Sequence, residues 1–473
     1  MDDALVDSAL SAFLLSRVPA GDRLCIALSG GMDSVVLLHA CRRLVHQRLL
    51  GVGLFAVHVH HGISSRADAW AAFCVDLCQR WDVPLEVLHV HVPRDSGEGL
   101  EGAARRLRHD AFSACPADWL ALAHHRDDQA ETVLLNLLRG AGVAGAAGML
   151  AERRRSAAPT LLRPFLEVPR QSIQAYAQAH ELRWVEDESN ADRHFRRNFL
   201  RHEILPRLET PFPGAGRALA RAAAHFADAM VLLDDLAALD FRSAAAPGGR
   251  IKLGAFNTLS AARARNLLRH AWASAGFRAP DSRWVEEARK QLATADALSE
   301  VCVATSEGEL QLYRGELYIV PRREFPLEEA SPWSGQAMLP WAGGRVRFVP
   351  LVGTGIRQSL LIEGGVWLRR RSGGERLRLD ARRPRRHLRN LLQEGGVPPW
   401  ERIRMPLLWV DERLAWVGGV GHDAAFACPP GEAGILPVWE PDQLGVDQPN
   451  ASSTQAKSAA SGASIVSGAP LTG

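Results

Sequence analysis

The first 140 residues alternate short apolar runs with longer amphipathic ones, and few chain arrangements satisfy that pattern. "RLCIALS" (23–29), "GLFAVHVHH" (53–61), "PLEVLHVHV" (84–92) and "DWLALAHH" (118–125) read as strands. "SVVLLHACRRLVHQ" (34–47), "ADAWAAFCVDLCQRW" (67–81), "EGAARRLRHDAFSAC" (101–115) and "DDQAETVLLNLLRG" (127–140) read as the helices that follow them. Apolar strands joined by amphipathic helices are covered on both faces, so the expected fold class is α/β, a doubly wound parallel sheet.

In such a sheet ligands collect at the carboxyl ends of the strands, where helix N-termini approached through glycine bind phosphate with free backbone amides. "SGGMDS" (29–34) stands there, after the first strand. Gly30 and Gly31 let the backbone turn sharply and approach an anion, Ser29 and Ser34 bring hydroxyl donors, and Met32 separates the glycines from the acid. Asp33 repels a phosphate unless Mg²⁺ lies between them or the acid shapes the loop, so the pattern points to a nucleotide with metal. A Ser/Gly turn with an ordinary helix cap competes when the six residues are taken alone. A Walker A loop is excluded, because none of the three lysines stands in a "GK[ST]" context.

At 473 residues the chain is too long for one ordinary core, and two or three domains are expected. No apolar run reaches the roughly 18 residues that span a bilayer, and the opening "MDDALVDSALSAF" is acidic and amphipathic, so a cytoplasmic protein without membrane contact is expected. Seven scattered cysteines with no CxxC pair fit reduced thiols, and Cys74 and Cys78, one turn apart, fit helix packing. From about Pro211 the texture changes to Ala/Leu/Arg helices, closed by a β segment, "GELQLYRGELYIVPR", with an "RG" turn. An Arg-rich α+β piece follows the Pro-rich "EFPLEEASPWSGQ". The domains are therefore expected at 1–210, 211–330 (mostly helical) and 337–437, with a disordered tail at 441–473 that is too poor in apolar residues to pack.

Net charge is only +3, but between Arg369 and Arg404 twelve arginines face four acids, a patch sized for a polyanion. Arginines 369, 370, 371, 376, 378, 382, 383, 385, 386 and 389 lie where they can track a phosphate backbone; an exposed basic face without a partner is the plain alternative. In "HHRDDQAET", Asp127 with Glu131 and Asp128 with Thr132 are spaced i to i+4 in the first turns of a helix. Capping accounts for acids at that end, but repulsion among three of them is better relieved by Mg²⁺ or a substrate ammonium. His124 and His125 close the preceding strand, one expected in the site and the other in packing. His58 and His60 share a strand face, and with no cysteine or acid to complete a tetrahedron a zinc site is not expected. Glu101, Arg105 and Arg108 form a charged helical stripe, while Arg193, Arg196, Arg197, Arg201 and Arg207 crowd around Asn198 on another short helix.

Taken together, these motifs resemble a known family. "SGGMDS" is similar to the PP-loop of the N-type ATP pyrophosphatases, a Rossmann-like, adenine nucleotide alpha hydrolase-like fold whose members cleave ATP to AMP and pyrophosphate. "HVHHGI", "EGAARRLRHDAF", "AHHRDDQAETVLLNLLRGAG", "RPFLEVPR" and "EDESNADRHFRRNFLRHEILP" resemble, in order and spacing, the tRNA(Ile)-lysidine synthases, as does "LRNLLQEGGVPPWERIRMPLLWVDERLAWVGG" near the end. The resemblance covers roughly residues 20–430. It implies a ligase that uses ATP and Mg²⁺ to join free L-lysine to the wobble cytidine of the isoleucine tRNA with a CAU anticodon. Lysidine then forms through an adenylated intermediate, changing decoding from AUG to AUA.

By the same resemblance Ser29 to Ser34 with His58 bind ATP, Asp33 holds metal, and Asp33, Asp127 and Asp128 are catalytic. Glu101, Arg105, Arg108, His124, Asp127, Asp128, Glu131 and Thr132 border the lysine and cytidine; Arg197, Asn198, Arg201 and the C-terminal arginines, with the middle domain, contact tRNA. His109 stands where the family often has an aromatic, and Arg389 where it often has lysine. Two rivals remain: another PP-loop tRNA modifier such as a 2-thiolase, many of which need the CxxC pair missing here, and a tRNA-binding module without catalysis. The oligomeric state is left open, a homodimer included.

Overall fold

A computed structural model describes residues 2–93, 99–154, 158–186, 188, 196–322 and 330–441. Arg193 and the expected tail from residue 442 onward lie outside the described residues. The chain divides into two compact units, Met1–Leu233 and Asp234–Gly473.

The first unit begins with α1 (Asp2–Leu15), β1 (Arg23–Ala27), α2 (Met32–His46), β2 (Gly53–His60), α3 (Ala67–Trp81), β3 (Leu85–His89), α4 (Gly99–Ser113), β4 (Trp119–Ala121) and α5 (Arg126–Leu138). It continues with α6 (Val143–Ala146), β5 (Glu152–Arg153), β6 (Thr160–Leu162) and α7 (Arg170–Ala179). The six strands stand in the order β3-β2-β1-β4-β6-β5, parallel except at the antiparallel β5–β6 edge. β1 is central: Ile26 lies opposite Ala56 on one side and Ala121 on the other.

Side chains leave the two faces of β1 alternately, which explains why the apolar run has two separate partners. Leu24 and Ile26 pack with Leu10, Val35, Leu38, Cys74, Cys78 and Tyr176, whereas Cys25 packs with Phe55, Val57, Phe112 and Leu120. Both thiols of the Cys74/Cys78 pair are free and buried, as their helical spacing suggests. Each fully buried leucine contributes about 1.5–3 kcal/mol, so this double-sided burial holds the sheet and fixes which loops share its carboxyl edge.

β4 is shorter than its apolar run: pairing ends at Ala121, and His124 and His125 lie beyond it, His125 serving as the N-cap of α5. The strand run overshoots because Leu122 still donates to the Leu162 carbonyl before the chain turns away. Further on, α8 (Arg196–Phe199) passes through a π turn (Leu200–Ile204) into α9 (Leu205–Glu209), and α10 (Ala215–Ala244) follows. Pro206 has no N–H to give the preceding turn and its ring crowds that turn's carbonyl, which accounts for the widened helix there.

In the second unit, helices 253–257, 261–274 and 282–294 cover a five-stranded sheet around Leu267, Trp272, Val285 and Leu310. The "RG" turn is present: Arg314 and Gly315 both take positive φ, 52° and 73°, and join strands Gly308–Tyr313 and Glu316–Pro321. Two antiparallel sheets, one of five strands and one of four, build the C-terminal α+β part around Val346, Phe348, Leu368, Leu408 and Trp416.

Gly30 is where fold and function meet most tightly. Its φ is +87°, and a Cβ there would stand 2.9 Å from Val185 Cγ2 and 3.2 Å from Cys74 Sγ. Gly30→Ala is expected to cost about 2 kcal/mol from the left-handed backbone and the clash together, read as a lower urea midpoint for the full-length protein.

Candidate active site and basic surface

The order β2-β1-β4 reverses the sheet's winding at β1/β4, and ligands bind at such a switch point outside the carboxyl ends of the strands. Two loops meet there: 29–34, leaving β1, and 124–128, leaving β4. In the first, the Ser29 and Ser34 hydroxyls are 3.1 Å apart, Ser34 Oγ donates to the Gly31 carbonyl (2.9 Å), and Ser29 Oγ accepts from the Gly31 amide (3.3 Å). The two serines thus brace the loop from inside. Gly31 is the N-cap of α2 and supplies no side chain, so the positive end of the helix faces the loop without a protein cap.

Asp33, in the first turn of α2, has a buried Oδ1 that bonds to nothing in the protein, while its Oδ2 lies 3.8 Å from His125 Nε2. Burial lifts its carboxyl above the usual range, opposed by the His125 charge. A buried carboxylate oxygen without a partner beside an uncapped helix end fits a cation held jointly with a bound phosphate. Among the described residues no three His, Cys, Asp or Glu side chains gather into a metal-binding group.

The second loop forms a reciprocal cap. Asp128 Oδ2 accepts from the His125 amide (3.1 Å), and His125 Nδ1 accepts from the Asp128 amide (3.4 Å). Asp127 Oδ2 takes the Arg170 amide at 2.9 Å and lies 3.6 Å from His125 Nδ1. Burial works against the Asp127 charge, but the neighbouring His125 ring and the Arg170 amide outweigh it and hold the carboxyl at about 2. For His125 burial favours the neutral ring, yet three surrounding carboxylates outweigh it and raise its affinity for a proton. Capping therefore accounts for part of Asp128, as the helix-end alternative foresaw, and the remaining carboxylate oxygens do other work.

Those oxygens bind arginine. Asp128 Oδ1 accepts from Arg197 Nη2 (2.8 Å) and Arg201 Nη2 (2.9 Å), and Glu131, 1% exposed, accepts from Arg197 Nε (2.7 Å) and from Arg201. The structure thus draws the "RRNFLR" arginines and the "DDQAE" acids into one lattice. Thr132 Oγ1 is turned to its own helix and donates to the Asp128 carbonyl (2.8 Å). Asn198 lies on α8.

Around this centre, His58 is buried and its Nδ1 is 2.9 Å from the Leu28 carbonyl, directly behind the glycine loop. His60 is turned to Asp68 (3.0 Å) and stacks against His89. Arg105 and Arg108 are exposed on α4, and the Arg108 charge reaches His61 and His124; the side chain of Glu101 lies outside the described residues. Arg163 and the Arg170 amide escaped the sequence reading, and of the expected His124/His125 pair it is His125 that caps α5. His125 carried one signal, its place immediately before the acidic first turn of a helix.

In the second unit the basic cluster spreads over strand 366–369, a Gly373–Gly374 turn, a second turn at 379–383 and helix 388–394. Several arginines have acidic neighbours: Arg369 with Glu412 (3.6 Å), Arg371 with Glu375 (3.4 Å), Arg383 with Asp380 (3.7 Å), Arg385 with Asp423 (3.6 Å) and Arg386 with Glu394. Arg376 bonds His387, Arg370 is half-buried, and Arg382 and Arg389 are exposed. Two buried acids shape the surface from beneath: Glu375 accepts the Ser372 and Gly373 amides, and Asp423 accepts those of Arg378 and Ala425. Trp367 is 37% exposed, while Trp409 lies under the Arg369 guanidinium and Trp400 packs edge-on to Tyr318, so none of the three is wholly buried.

A parallel sheet with a Ser-braced glycine turn, an uncapped helix end and an unpartnered acid at its switch point defines an ATP-binding enzyme of the PP-loop class. Three family profiles match the sequence: a PP-loop domain at 6–208, a TilS substrate binding domain at 252–318 and a TilS substrate C-terminal domain at 366–439. Proteins named tRNA(Ile)-lysidine synthase from Azoarcus sp. (45% identical, 90% of this chain and 93% of that one), Aromatoleum aromaticum (46%, 90% and 99%) and Nitrosomonas europaea (40%, 91% and 94%) are similar along nearly their whole lengths. The chain belongs to the tRNA(Ile)-lysidine synthase family.

Removing one partner from a buried ion lattice leaves the others uncompensated. Glu131→Gln is therefore expected to lower stability by on the order of 3 kcal/mol, visible as a reduced denaturation midpoint with unchanged far-UV circular dichroism at low denaturant.

Proposed function

We propose that this protein ligates L-lysine to C2 of the wobble cytidine in the isoleucine tRNA with a CAU anticodon, converting it to lysidine so that the tRNA decodes AUA in place of AUG. The observation that carries this reading is the unpartnered Asp33 oxygen beside the uncapped α2 N-terminus, in a chain of this family. The cytidine O2 attacks the α-phosphorus of ATP, forming an O–P bond and expelling pyrophosphate. The lysine ε-nitrogen, having lost a proton, then attacks C2, and the C2–O bond breaks with AMP as leaving group. Activation is needed because an amide-like oxygen leaves poorly whereas a phosphate monoester leaves well.

The α2 amides and the Ser29–Ser34 loop cradle ATP phosphates, with His58 behind the loop. Asp33 would hold Mg²⁺, which when bound supplies positive charge against the phosphates. Asp127, Asp128 and Glu131 form the acidic wall for lysine, beside Thr132; because Arg197 and Arg201 already sit on the last two acids, a lysine cation exchanges with guanidinium there. Arg105 and Arg108, with Glu101 on the same helix, flank the site from α4. The protein is read as cytoplasmic; among the described residues no helix is long and apolar enough to cross a membrane.

The exposed arginines of the C-terminal surface are assigned to tRNA phosphates. Replacing Arg382 and Arg389 together with alanine is expected to weaken tRNA binding and flatten the dependence of log Kd on log salt by about one unit per lost contact. The reaction itself is tested by incubating the protein with ATP, Mg²⁺, labelled lysine and unmodified isoleucine tRNA, then seeking labelled lysidine by mass spectrometry after digestion. Asp33→Asn is expected to lower product formation at least about 100-fold with the fold intact, the scale of losing a preorganised charge at the reacting centre. ATP cleavage without label would redirect the assignment to another PP-loop tRNA modifier, and no cleavage at all would point to a binding module.

A further inference from the structure

The segment Arg163–Arg170 takes no part in the chemistry above, yet both of its ends hold the turn between β4 and α5. At one end the Arg170 amide bonds Asp127, and the Val168 carbonyl accepts from the Arg126 amide at 3.0 Å. At the other, Arg163 donates from Nη1 to the Leu150 carbonyl (2.7 Å) and from Nε to His124 Nδ1 (3.3 Å).

Arg163 is only 7% exposed, and among the described residues no carboxylate lies within ion-pair distance of it. The charges that bear on it are those of Arg153 and Arg105, and burial beside them holds its guanidinium down at about 10. A buried cation facing other cations is costly unless the bonds it makes are needed or an anion arrives. Its bond to His124 has a definite chemical consequence. A guanidinium only donates, so Nδ1 must offer its lone pair; the ring is then neutral and its single hydrogen sits on Nε2. Burial acts in the same direction, with the Arg163, Arg197 and Arg108 charges opposing the pull of Asp128, and pushes His124 down to about 3.

We propose that Arg163 is a positioning residue that fixes His124 as an Nε2–H donor to a phosphate oxygen of the bound substrate. The inference rests on the proposed function. An anion is the fitting acceptor because three arginine charges bear on the ring and the one acid beside it, Asp128, is already bonded to Arg197 and Arg201. Two phosphates share that chemistry, the α-phosphate of ATP and the backbone phosphate next to the wobble nucleotide.

Full-length protein labelled with ¹⁵N-histidine tests the tautomer directly, the His124 signal being identified by its loss in His124→Gln. The expected spectrum at pH 7 shows the neutral Nε2–H form, with Arg163→Met moving it towards a mixture of tautomers. Steady-state kinetics supply the second readout. Arg163→Met and His124→Asn are each expected to raise one KM about tenfold or more, the scale at which a group that orients a histidine is missed. His124→Gln, whose amide reaches the Nε2 position, should keep more activity than His124→Asn. A rise in the ATP KM identifies the adenylyl phosphate, and a rise in the tRNA KM the RNA backbone; either upholds the donor. An imidazolium or an Nδ1–H ring at pH 7 would overturn the proposal, as would unchanged KM values for both substrates. If Arg163→Met does not fold, Arg163→Lys and the Gln/Asn comparison decide the matter. Wild-type protein that makes no lysidine would sink the proposed function, while the spectrum still judges the tautomer.

Discussion

The parallel pairing of β1 with both β2 and β4 is the constraint on which the rest depends. Because Ile26 lies level with Ala56 and Ala121, the loops that leave β1 and β4 emerge at the same edge and at the same height. One loop turns a helix end towards an anion; the other carries acids. Neither loop could be paired with the other if the register slipped by one residue, since every core side chain would change faces. Packing on both faces prevents that slip. Leu24 and Ile26 belong to one core and Cys25 to the other, and exchanging them would overfill one core and leave a void in the other.

Electrostatics then divide the site into zones of opposite character. Asp33, Asp127 and Asp128 surround His125, while the charges of Arg163, Arg197 and Arg108 bear on His124. Adjacent histidines therefore meet opposite fields: carboxylates favour the proton on His125, and burial with arginine charge removes it from His124. A site that is to hold both a phosphate and a cationic group needs such a divided environment, because one uniform field would expel one of the two.

The basic surface of the second unit follows a related logic in solvent. Half of the ten arginines between 369 and 389 are exposed, and ion pairs made there contribute little to stability individually. The rigid part lies beneath them. Buried Glu375 and Asp423 each accept two backbone amides, which fixes the turns on which the arginines ride. A surface held by its backbone keeps its shape while part of its charge is paired internally and the rest, such as Arg382 and Arg389, faces solvent.

Periodicity in the sequence determined the layered α/β architecture, the helix from 67 to 81, and the "RG" hairpin, because these depend on local burial patterns and on turn chemistry. The glycine loop was legible for the same reason: a short run whose residue types allow few conformations. The end of β4 was not, since an apolar run does not reveal where a neighbour stops pairing. Only the tertiary structure decided that Arg197 and Arg201 lie on Asp128 and Glu131, that Val185 stands behind Gly30, and that Arg163 reaches His124. Those partners are between 39 and 155 residues apart in the chain, and a side chain's charge state depends on what is brought within a few ångströms of it, which spacing along the sequence does not specify.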